Sequence, residues 1–262
     1  MERLARSHVV VLGVGGVGSF AAEALVRAGV GRVTLVDGER IDETNANRQL
    51  HALDGAFGRP KAEVMAARLR GVQPAARVDA AVERYSEESA ERLLPAGVSF
   101  VVDAMDTVVA KLHAIRRCLD LGIPIVTSLG AARRIDPTAI QVTDLCESHT
   151  DQPAKDVRQY LRRRHGVSAT GPTGVLSVWS VEEPLPALSL PGDERGIPGA
   201  ARREPGARRR EPKAFGSASF VTGAFGLAAA AAVVQRLAGA RPRVHRVLSE
   251  KESSRRRKRP PR

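Results

Sequence analysis

The chain has 262 residues, of which 43% are hydrophobic, and this is enough apolar material for the core of one α/β domain. Its formal net charge of +12 lies mostly in residues 193–213 (+3) and 241–262 (+8), so the remaining body is nearly neutral and leaves electrostatic binding of a polyanion to local patches and to the last segment. We expect a cytoplasmic protein with no membrane association, because no apolar run is long enough to span a bilayer, the first residues lack a secretory pattern, and the two cysteines are too few for a disulfide framework.

The first predicted strand, residues 8–12, runs into a glycine-rich turn and then into an amphipathic helix predicted over 17–28. Glycines in such a turn allow positive φ and let the backbone approach a phosphate closely. The helix that follows directs its unpaired N–H groups and its positive dipole end at the same phosphate. The glycines are Gly13, Gly15, Gly16 and Gly18.

Asp37 ends the second predicted strand, 32–37, where a carboxylate can accept hydrogen bonds from ribose hydroxyls. The turn and this acid together predict an adenine nucleotide site. The Gly-x-Gly-x-x-Gly spacing also fits a dinucleotide site, and taken alone it favours NAD in a dehydrogenase over ATP. Three features further along the chain reverse that preference.

The first feature is the polar segment 44–51, which contains Asn45, Arg48 and Gln49. A guanidinium stabilises charge on transferring phosphates, and a side-chain amide donates a hydrogen bond to them. Arg48 and Asn45 therefore suit a nucleoside triphosphate. A polar helix cap with exposed partners remains the alternative for this segment.

Lys61 and two aspartates are the other features. Lys61 begins a helix predicted over 60–71 and places an ammonium near the carboxyl edge of the sheet, although an ordinary solvated lysine is the alternative. Asp103 and Asp106 follow another buried strand at the same edge. We expect Asp106 to reach magnesium or phosphates, and Asp103 to brace its own loop. Together these residues predict a site for ATP with Mg²⁺.

Strands and helices alternate along the first half of the chain, which predicts a Rossmann-like doubly wound, mainly parallel α/β sheet. After that point, period-two strands predict an antiparallel extension in the C-terminal part, with a basic helix between them and an apolar helix at the end. The predicted strands are 8–12, 32–37, 77–82, 99–104, 123–127, 139–145 and 175–181, and the predicted helices are 17–28, 60–71, 86–94, 107–121, 153–165 and 219–237.

We predict a single ATP-binding domain over residues 1–240, with a basic disordered insertion at about 191–213 and a basic disordered tail over 241–262. A solvated tail and an electrostatic RNA tether are both open for the last segment. Within the body, the best candidates for RNA contact are the cations of residues 155–164, with Arg133 and Arg134. A solvated helix face is the alternative.

These motifs resemble those of the adenylating superfamily that includes ThiF, MoeB, HesA and the ubiquitin-activating enzymes. Within that superfamily, segments 44–53, 61–66 and 135–145 are most similar to the family of tRNA threonylcarbamoyladenosine dehydratases. The resemblance runs over about 3–190 and 215–237. The positions that match superfamily motifs are Gly13, Gly15, Gly16, Gly18, Asp37, Asn45, Arg48, Gln49, Lys61 and Asp106.

The resemblance implies ATP-dependent cyclisation of threonylcarbamoyladenosine in tRNA. The threonine carboxylate is adenylated, after which a carbamoyl nitrogen or oxygen closes the ring intramolecularly and AMP leaves. The resemblance also implies a homodimer, and a sulfur-acceptor protein of the cysteine desulfurase system as a further partner.

Roles for the site residues follow from the same resemblance. The glycine turn and its helix hold the α-phosphate region, and Asp37 holds the ribose. The catalytic residues are Arg48 and Lys61, which neutralise β- and γ-phosphate charge, Asn45, which orients the attacked phosphate, and Asp106, which positions Mg²⁺ through ATP.

Two alternatives stay open. One is an adenylyltransferase that activates the C-terminus of a ubiquitin-like sulfur-carrier protein, as ThiF and MoeB do. Those relatives commonly carry paired Cys-x-x-Cys zinc ligands, which this sequence lacks; Cys118 falls in an apolar helix, so Cys146 would be the transfer thiol. The other is a nucleotide-binding protein without enzymatic activity that partners sulfur-carrier machinery.

Overall fold

The apolar runs of the sequence form a seven-stranded sheet flanked by helices in a computed structural model. The structure describes residues 1–149, 152–165, 171–186, 188–189, 213–214 and 216–240. The strands of the sheet are β1 His8–Leu12, β2 Arg32–Val36, β3 Arg77–Ala81, β4 Phe100–Asp103, β5 Ile125–Ser128, β6 Ile140–Asp144 and β7 Leu176–Ser180. A separate pair, β8 Leu188–Ser189 and β9 Lys213–Ala214, is antiparallel. The helices are α1 Glu2–Ala5, α2 Gly18–Arg27, α3 Lys61–Val72, α4 Ala90–Leu93, α5 Val108–Leu121, α6 Gln152–His165 and α7 Ser219–Leu237.

The strand order across the sheet is β3-β2-β1-β4-β5-β7-β6. Every neighbouring pair is parallel except β6 and β7. The predicted doubly wound sheet with an antiparallel extension is therefore confirmed. One detail differs, because β7 joins β5 in parallel and β6 alone runs the other way.

The predicted helix over 86–94 is shorter in the structure, where α4 covers Ala90–Leu93. The backbone N–H of Ser86 donates to the Ser89 hydroxyl at 2.9 Å, and that hydroxyl lies 3.3 Å from the Arg84 carbonyl oxygen. Serine side chains that bond nearby backbone groups stabilise a turn in place of the first helical residues.

Two apolar layers cover the sheet. One contains Leu25 of α2, Met65 of α3 and Phe225 of α7, and the other contains Ile115 of α5 and Leu161 of α6. Helix α7 lies directly against α2: a Cβ at Gly226 would overlap the carbonyl oxygen of Val17. The last helix of the described chain therefore packs on the residue where α2 begins.

Helix α7 is also the single helix, among the residues described here, that is long and apolar enough to cross a membrane. The sequence analysis had found no such run. Half of the most apolar window of α7 is buried inside the protein, where Val221, Phe225 and Val233 lie in the core. Its apolar character is that of a core helix.

The chain turns at the carboxyl ends of β1, β2 and β4 to build the candidate site. Strand β1 pairs with β2 on one side and β4 on the other, which is the switch point where ligands bind in open α/β sheets. Gly13 follows β1, Asp37 follows β2 and Asp106 follows β4, so the predicted residues meet at one edge. Nearly all of the predicted insertion and the whole predicted tail lie outside the described residues.

Candidate nucleotide site

The glycine turn is pressed against the loop that follows β4. Gly13 has a φ of +83°, and a Cβ there would lie 2.8 Å from the carbonyl oxygen of Ala104. A Cβ at Gly18 would overlap the carbonyl oxygen of Gly13. Both positions therefore require glycine, the first for its conformation and the second for the close approach of α2 to β1.

The start of α2 faces the space that a phosphate would occupy. No side chain caps this helix at its N-terminal residue, Val17. A Cβ at Gly15 would meet nothing closer than the Gln49 amide nitrogen at 3.8 Å, whereas one at Gly16 would lie 3.2 Å from Arg48 Cγ and from Thr222 Oγ1. The turn thus has an open side and is flanked by segment 44–51 and by α7. An uncapped helix start next to open glycine backbone fits an anionic ligand.

Asp37 ties the glycine turn to β2. Its Oδ2 accepts the Val14 N–H at 2.7 Å, and its Oδ1 accepts the Glu39 N–H at 2.8 Å. Burial raises the pKa of this carboxyl above its usual value, although both N–H groups act in the opposite direction. Each carboxylate oxygen still has a second lone pair, which is what bonding to ribose hydroxyls requires. The structure thus adds a loop-holding contact to the predicted ribose contact.

Asn45 shapes the turn that begins segment 44–51. Its Oδ1 accepts the Asp42 N–H at 3.1 Å, and the Asp42 carboxylate accepts the Thr44 N–H at 2.9 Å. Asn45 is buried and completes a capping box with the exposed Asp42, so the alternative of a polar helix cap with exposed partners is confirmed for its side chain. Arg48 is half-buried and donates to the Thr44 carbonyl at 2.8 Å.

Two buried side chains of this segment have polar atoms without a partner in the part of the chain that the structure describes. They are Gln49, through Oε1, and His51, through both ring nitrogens. Burial, with a smaller effect of the Lys61 charge, lowers the pKa of His51 from 6.5 to about 4. Unsatisfied buried polar atoms are costly. The Gln49 amide nitrogen lies beside Gly15 and can donate to an anionic ligand at the turn, whereas Oε1 would need a donor such as a ribose hydroxyl.

Lys61 is the first residue of α3 and is only 4% exposed, so the alternative of a solvated lysine is wrong. Its Nζ donates to Glu39 Oε2 at 2.6 Å. Glu39 also lies 3.4 Å from the guanidinium of Arg84. The sequence analysis missed Glu39, which lies two residues beyond Asp37 and holds the ammonium at the edge of the site.

The two aspartates after β4 have different surroundings. Asp103 is fully buried, and its Oδ1 accepts the Met105 N–H at 3.1 Å, which confirms its predicted role as a brace for the loop. Its Oδ2 accepts from Lys111 and Thr127, two residues that the sequence analysis missed. Asp106 is exposed, and its Oδ1 accepts the Thr107 hydroxyl at 3.2 Å.

Within the described ranges, no group of three or more His, Cys, Asp or Glu side chains lies close enough to hold a metal ion. Mg²⁺ commonly takes only one or two carboxylates and completes its shell with phosphates and water. A lone exposed carboxylate, Asp106, near the glycine turn fits that type of site and not an all-protein metal cage.

Arg134 is not an RNA-contacting residue. It is 2% exposed, and its guanidinium donates to the carbonyl oxygens of Gly130 and Glu182. Arg133 is half-buried and donates to the Leu185 carbonyl at 3.0 Å. The pair joins the loop after β5 to the residues after β7. Two adjacent arginines suggested a basic patch in the sequence, but both donate to backbone carbonyls.

The two cysteines are free thiols with raised pKa values. Cys118 is buried on α5, and Cys146 is partly exposed. Burial, with hydrogen bonding to Asp144, raises the pKa of Cys146 to about 11. A thiol that stays protonated at neutral pH is a poor nucleophile. The structure gives little support for Cys146 as a transfer thiol.

Known proteins resemble this chain in sequence. The model of the family described as the ThiF family matches residues 1–260. A tRNA threonylcarbamoyladenosine dehydratase of Bacillus subtilis is 46% identical over 185 residues, which cover 71% of each chain. The enzyme of the same name from Escherichia coli is 37% identical over 240 residues, which cover 90% of this chain and 88% of that one.

Solved structures agree with the sequence relatives. The Escherichia coli tRNA N6-threonylcarbamoyladenosine dehydratase in complex with ATP superimposes with a TM-score of 0.77 at 37% identity, covering 91% of this chain and 88% of that one. The same enzyme has also been solved with AMP. A sulfur carrier protein adenylyltransferase of Thermus thermophilus is 38% identical over 135 residues, about half of each chain (52% and 49%).

Proposed function

Because the chain belongs to the ThiF family, we propose that it is an ATP-dependent tRNA threonylcarbamoyladenosine dehydratase. The observation that carries the proposal is the open glycine turn beside Gln49 and Arg48, in a chain that superimposes over 91% of its length on a dehydratase solved with ATP. The relatives at 46% and 37% identity bear the same enzyme name.

The reaction removes the elements of one water molecule from the modified nucleoside. A carboxylate is a poor electrophile, because its leaving group would be oxide. A carboxylate oxygen of the threonyl group attacks the α-phosphorus of ATP and pyrophosphate leaves. The carbamoyl nitrogen or oxygen then attacks the activated carbonyl carbon, AMP departs with the former carboxylate oxygen, and one proton passes to solvent. Ring closure is intramolecular, so it needs no protein nucleophile.

The protein's own residues position and neutralise charge in this proposal. The glycine turn and the start of α2 bind the α-phosphate region, and Asp37 binds the ribose. Arg48 and Lys61 neutralise the β- and γ-phosphates, and Asn45 orients the attacked phosphate. Lys61 now donates to Glu39, so nucleotide phosphates would compete with that carboxylate for the ammonium. Gln49 donates to the phosphates through the amide nitrogen that lies beside Gly15.

Mg²⁺ belongs to the proposal as a companion of ATP, with Asp106 as its protein ligand. A bound magnesium ion would neutralise phosphate charge that Arg48 and Lys61 do not reach. Support comes from the exposure of Asp106 at the same sheet edge as the glycine turn.

The setting of the enzyme is also proposed. We place it in the cytoplasm as a single ATP-binding domain acting on tRNA, in keeping with two free cysteines and with the resemblance. The resemblance further supports a homodimer and contact with a sulfur-acceptor protein of the cysteine desulfurase system. Light scattering at several protein concentrations tests the dimer, and co-purification with the acceptor tests that contact.

The alternative, an adenylyltransferase for a sulfur-carrier protein, has less support. The adenylyltransferase of Thermus thermophilus matches about half of this chain (52%), whereas the dehydratases match up to 90%. The raised pKa of Cys146 further argues against a thiol-transfer step.

AMP release distinguishes the candidates. The purified chain is incubated with ATP and Mg²⁺ together with tRNA that carries threonylcarbamoyladenosine, tRNA that lacks it, or a sulfur-carrier protein. We expect AMP and the cyclic nucleoside with the modified tRNA alone. ATP–pyrophosphate exchange with the carrier protein, together with no AMP release with modified tRNA, would overturn the proposal.

A further inference from the structure

Helix α6 has an apolar face and a basic face. Ala154, Val157 and Leu161 are buried and belong to the same apolar layer as α5. Lys155, Arg162 and Arg163 are exposed. Residues 155 and 162 are two turns apart, so their Cα atoms are separated by about 10 Å along the helix axis. The burial pattern thus fixes which side of α6 faces solvent, and that side carries cations.

The charge of α6 sets it apart from the rest of the body. Its fourteen residues contain five Lys or Arg and one acid, Asp156, a net charge of +4. Once residues 193–213 and 241–262 are set aside, the whole body has a net charge of +1, so the body without α6 has −3. The positive charge of the folded body is therefore concentrated in one helix.

Several exposed arginines elsewhere pair with nearby carboxylates. Arg27 lies 2.9 Å from Glu23, and Arg32 lies 2.8 Å from Asp79. A matched pair presents no net charge to a distant partner. With one acid for five cations, α6 cannot be neutralised in this way from within its own sequence.

We propose that the exposed face of α6 binds the phosphate backbone of tRNA. This proposal rests on the proposed function, since it names the surface that would hold the substrate RNA. Helix α6 packs beside α5, and α5 begins two residues after Asp106. RNA bound along α6 would therefore lie on the same face of the sheet as α5, the helix that begins next to the candidate site. Arg158 is half-buried and bonds Ser148, so it holds the helix in place and is excluded from the binding face.

The test measures how salt affects tRNA binding. The full-length triple variant K155Q/R162Q/R163Q is compared with the wild type by filter binding, using an unmodified tRNA transcript over a range of KCl concentrations. Each phosphate contact contributes about 0.7 to 0.9 to the slope of log K against log salt. We expect the slope to fall by about 2, and affinity at low salt to fall by roughly 10-fold or more.

The matched control is R6Q/R27Q/R77Q, which removes the same charge from exposed arginines that each pair with a carboxylate. It should leave the slope near the wild-type value. ATP affinity without tRNA should be unchanged in both variants, which reports an intact fold; the single variants K155Q and R163Q provide the same test if the triple variant is unstable.

A wild-type salt slope in the α6 variant would overturn the proposal, as would an equal loss in the control. The binding assay uses unmodified tRNA and no turnover, so it is independent of catalysis. Absence of cyclisation by the wild type would instead contradict the proposed function, whatever the slope.

Discussion

Lys111 and Asp103 form an ion pair that is shielded from solvent beneath the candidate site. Lys111 Nζ donates to Asp103 Oδ2 at 2.9 Å, and their side chains are 5% and 0% exposed. The Thr127 hydroxyl donates to the same oxygen at 2.6 Å. The other Asp103 oxygen accepts the Met105 N–H. The ion pair therefore fixes the peptide between Ala104 and Met105, which packs against Gly13 and lies just before Asp106.

Replacing Lys111 by Met should destabilise the protein severely, because it leaves the Asp103 carboxylate buried without its counter-charge. We expect the free energy of unfolding in urea to fall by roughly 3–5 kcal/mol. The double variant D103N/K111M should recover much of that loss. Arg116→Met on the same helix, which breaks the partly exposed pair with Asp120, should cost less than about 1 kcal/mol. Equal stabilities for K111M and R116M would refute this account.

Adding a methyl group to Gly18 should disrupt the turn, because the new Cβ would overlap the Gly13 carbonyl oxygen. We expect G18A to lose about 1–3 kcal/mol of stability and to bind ATP more weakly in calorimetry. Gly71, within α3, provides the control, since a Cβ there meets nothing within 4 Å. G71A should gain about 0.5–1 kcal/mol through helix propensity. A G18A protein with normal stability and ATP affinity would show that the turn relaxes freely.

Asp106→Ala and Arg48→Ala should each lower AMP formation with modified tRNA by about 100-fold or more, because in the proposed mechanism Arg48 neutralises phosphate charge and Asp106 holds Mg²⁺. Both side chains are at least partly exposed, so thermal unfolding should be little changed. Asp54→Ala removes an exposed carboxylate that has no proposed role and should retain wild-type turnover. Normal pyrophosphate exchange in either site variant would remove that residue from the mechanism.

His51 should make stability depend on pH. Its pKa falls from 6.5 to about 4 in the folded protein, so between these values the unfolded chain binds more protons than the native one. The contribution of His51 to the free energy of unfolding is therefore fully present above pH 6.5. It is lost as the pH falls toward 4, by about 3 kcal/mol in total. His51→Gln should abolish this component. The free energy of unfolding in urea is measured against pH for the wild type and for H51Q, and the difference between the two curves gives the contribution of His51. Two curves with the same pH dependence would contradict a lowered pKa for His51.

The sequence predicted the sheet well because its information is local. Strand β1 and helix α7 have the predicted bounds, since an apolar run bordered by glycine or polar residues marks its own ends. The positions of Lys61 and Asp106 could also be predicted, because Lys61 begins a helix and Asp106 follows a strand, while their roles and that of Arg48 stay predictions.

Partnerships between distant residues could not be read in this way. Lys111 shares the buried face of α5 with Ile115 and Cys118, and a lysine on an apolar face signals a buried carboxylate, but the pattern does not say which one. For Arg134 the sequence predicted a solvent-exposed RNA contact that the structure does not have. The sequence shows the charge of this residue but not the backbone carbonyl oxygens to which it donates. Only tertiary packing decides whether an arginine meets solvent.

The contact of Gly226 with Val17 has a consequence for biosynthesis. The last described helix of the chain packs on the start of α2, and a Cβ at Gly16 of the turn would lie 3.2 Å from Thr222 of that helix. A ribosome therefore releases the glycine turn long before the surface that supports it, at roughly 5–20 residues per second. We therefore expect the nascent chain to be unable to retain ATP until α7 has emerged and packed on the turn.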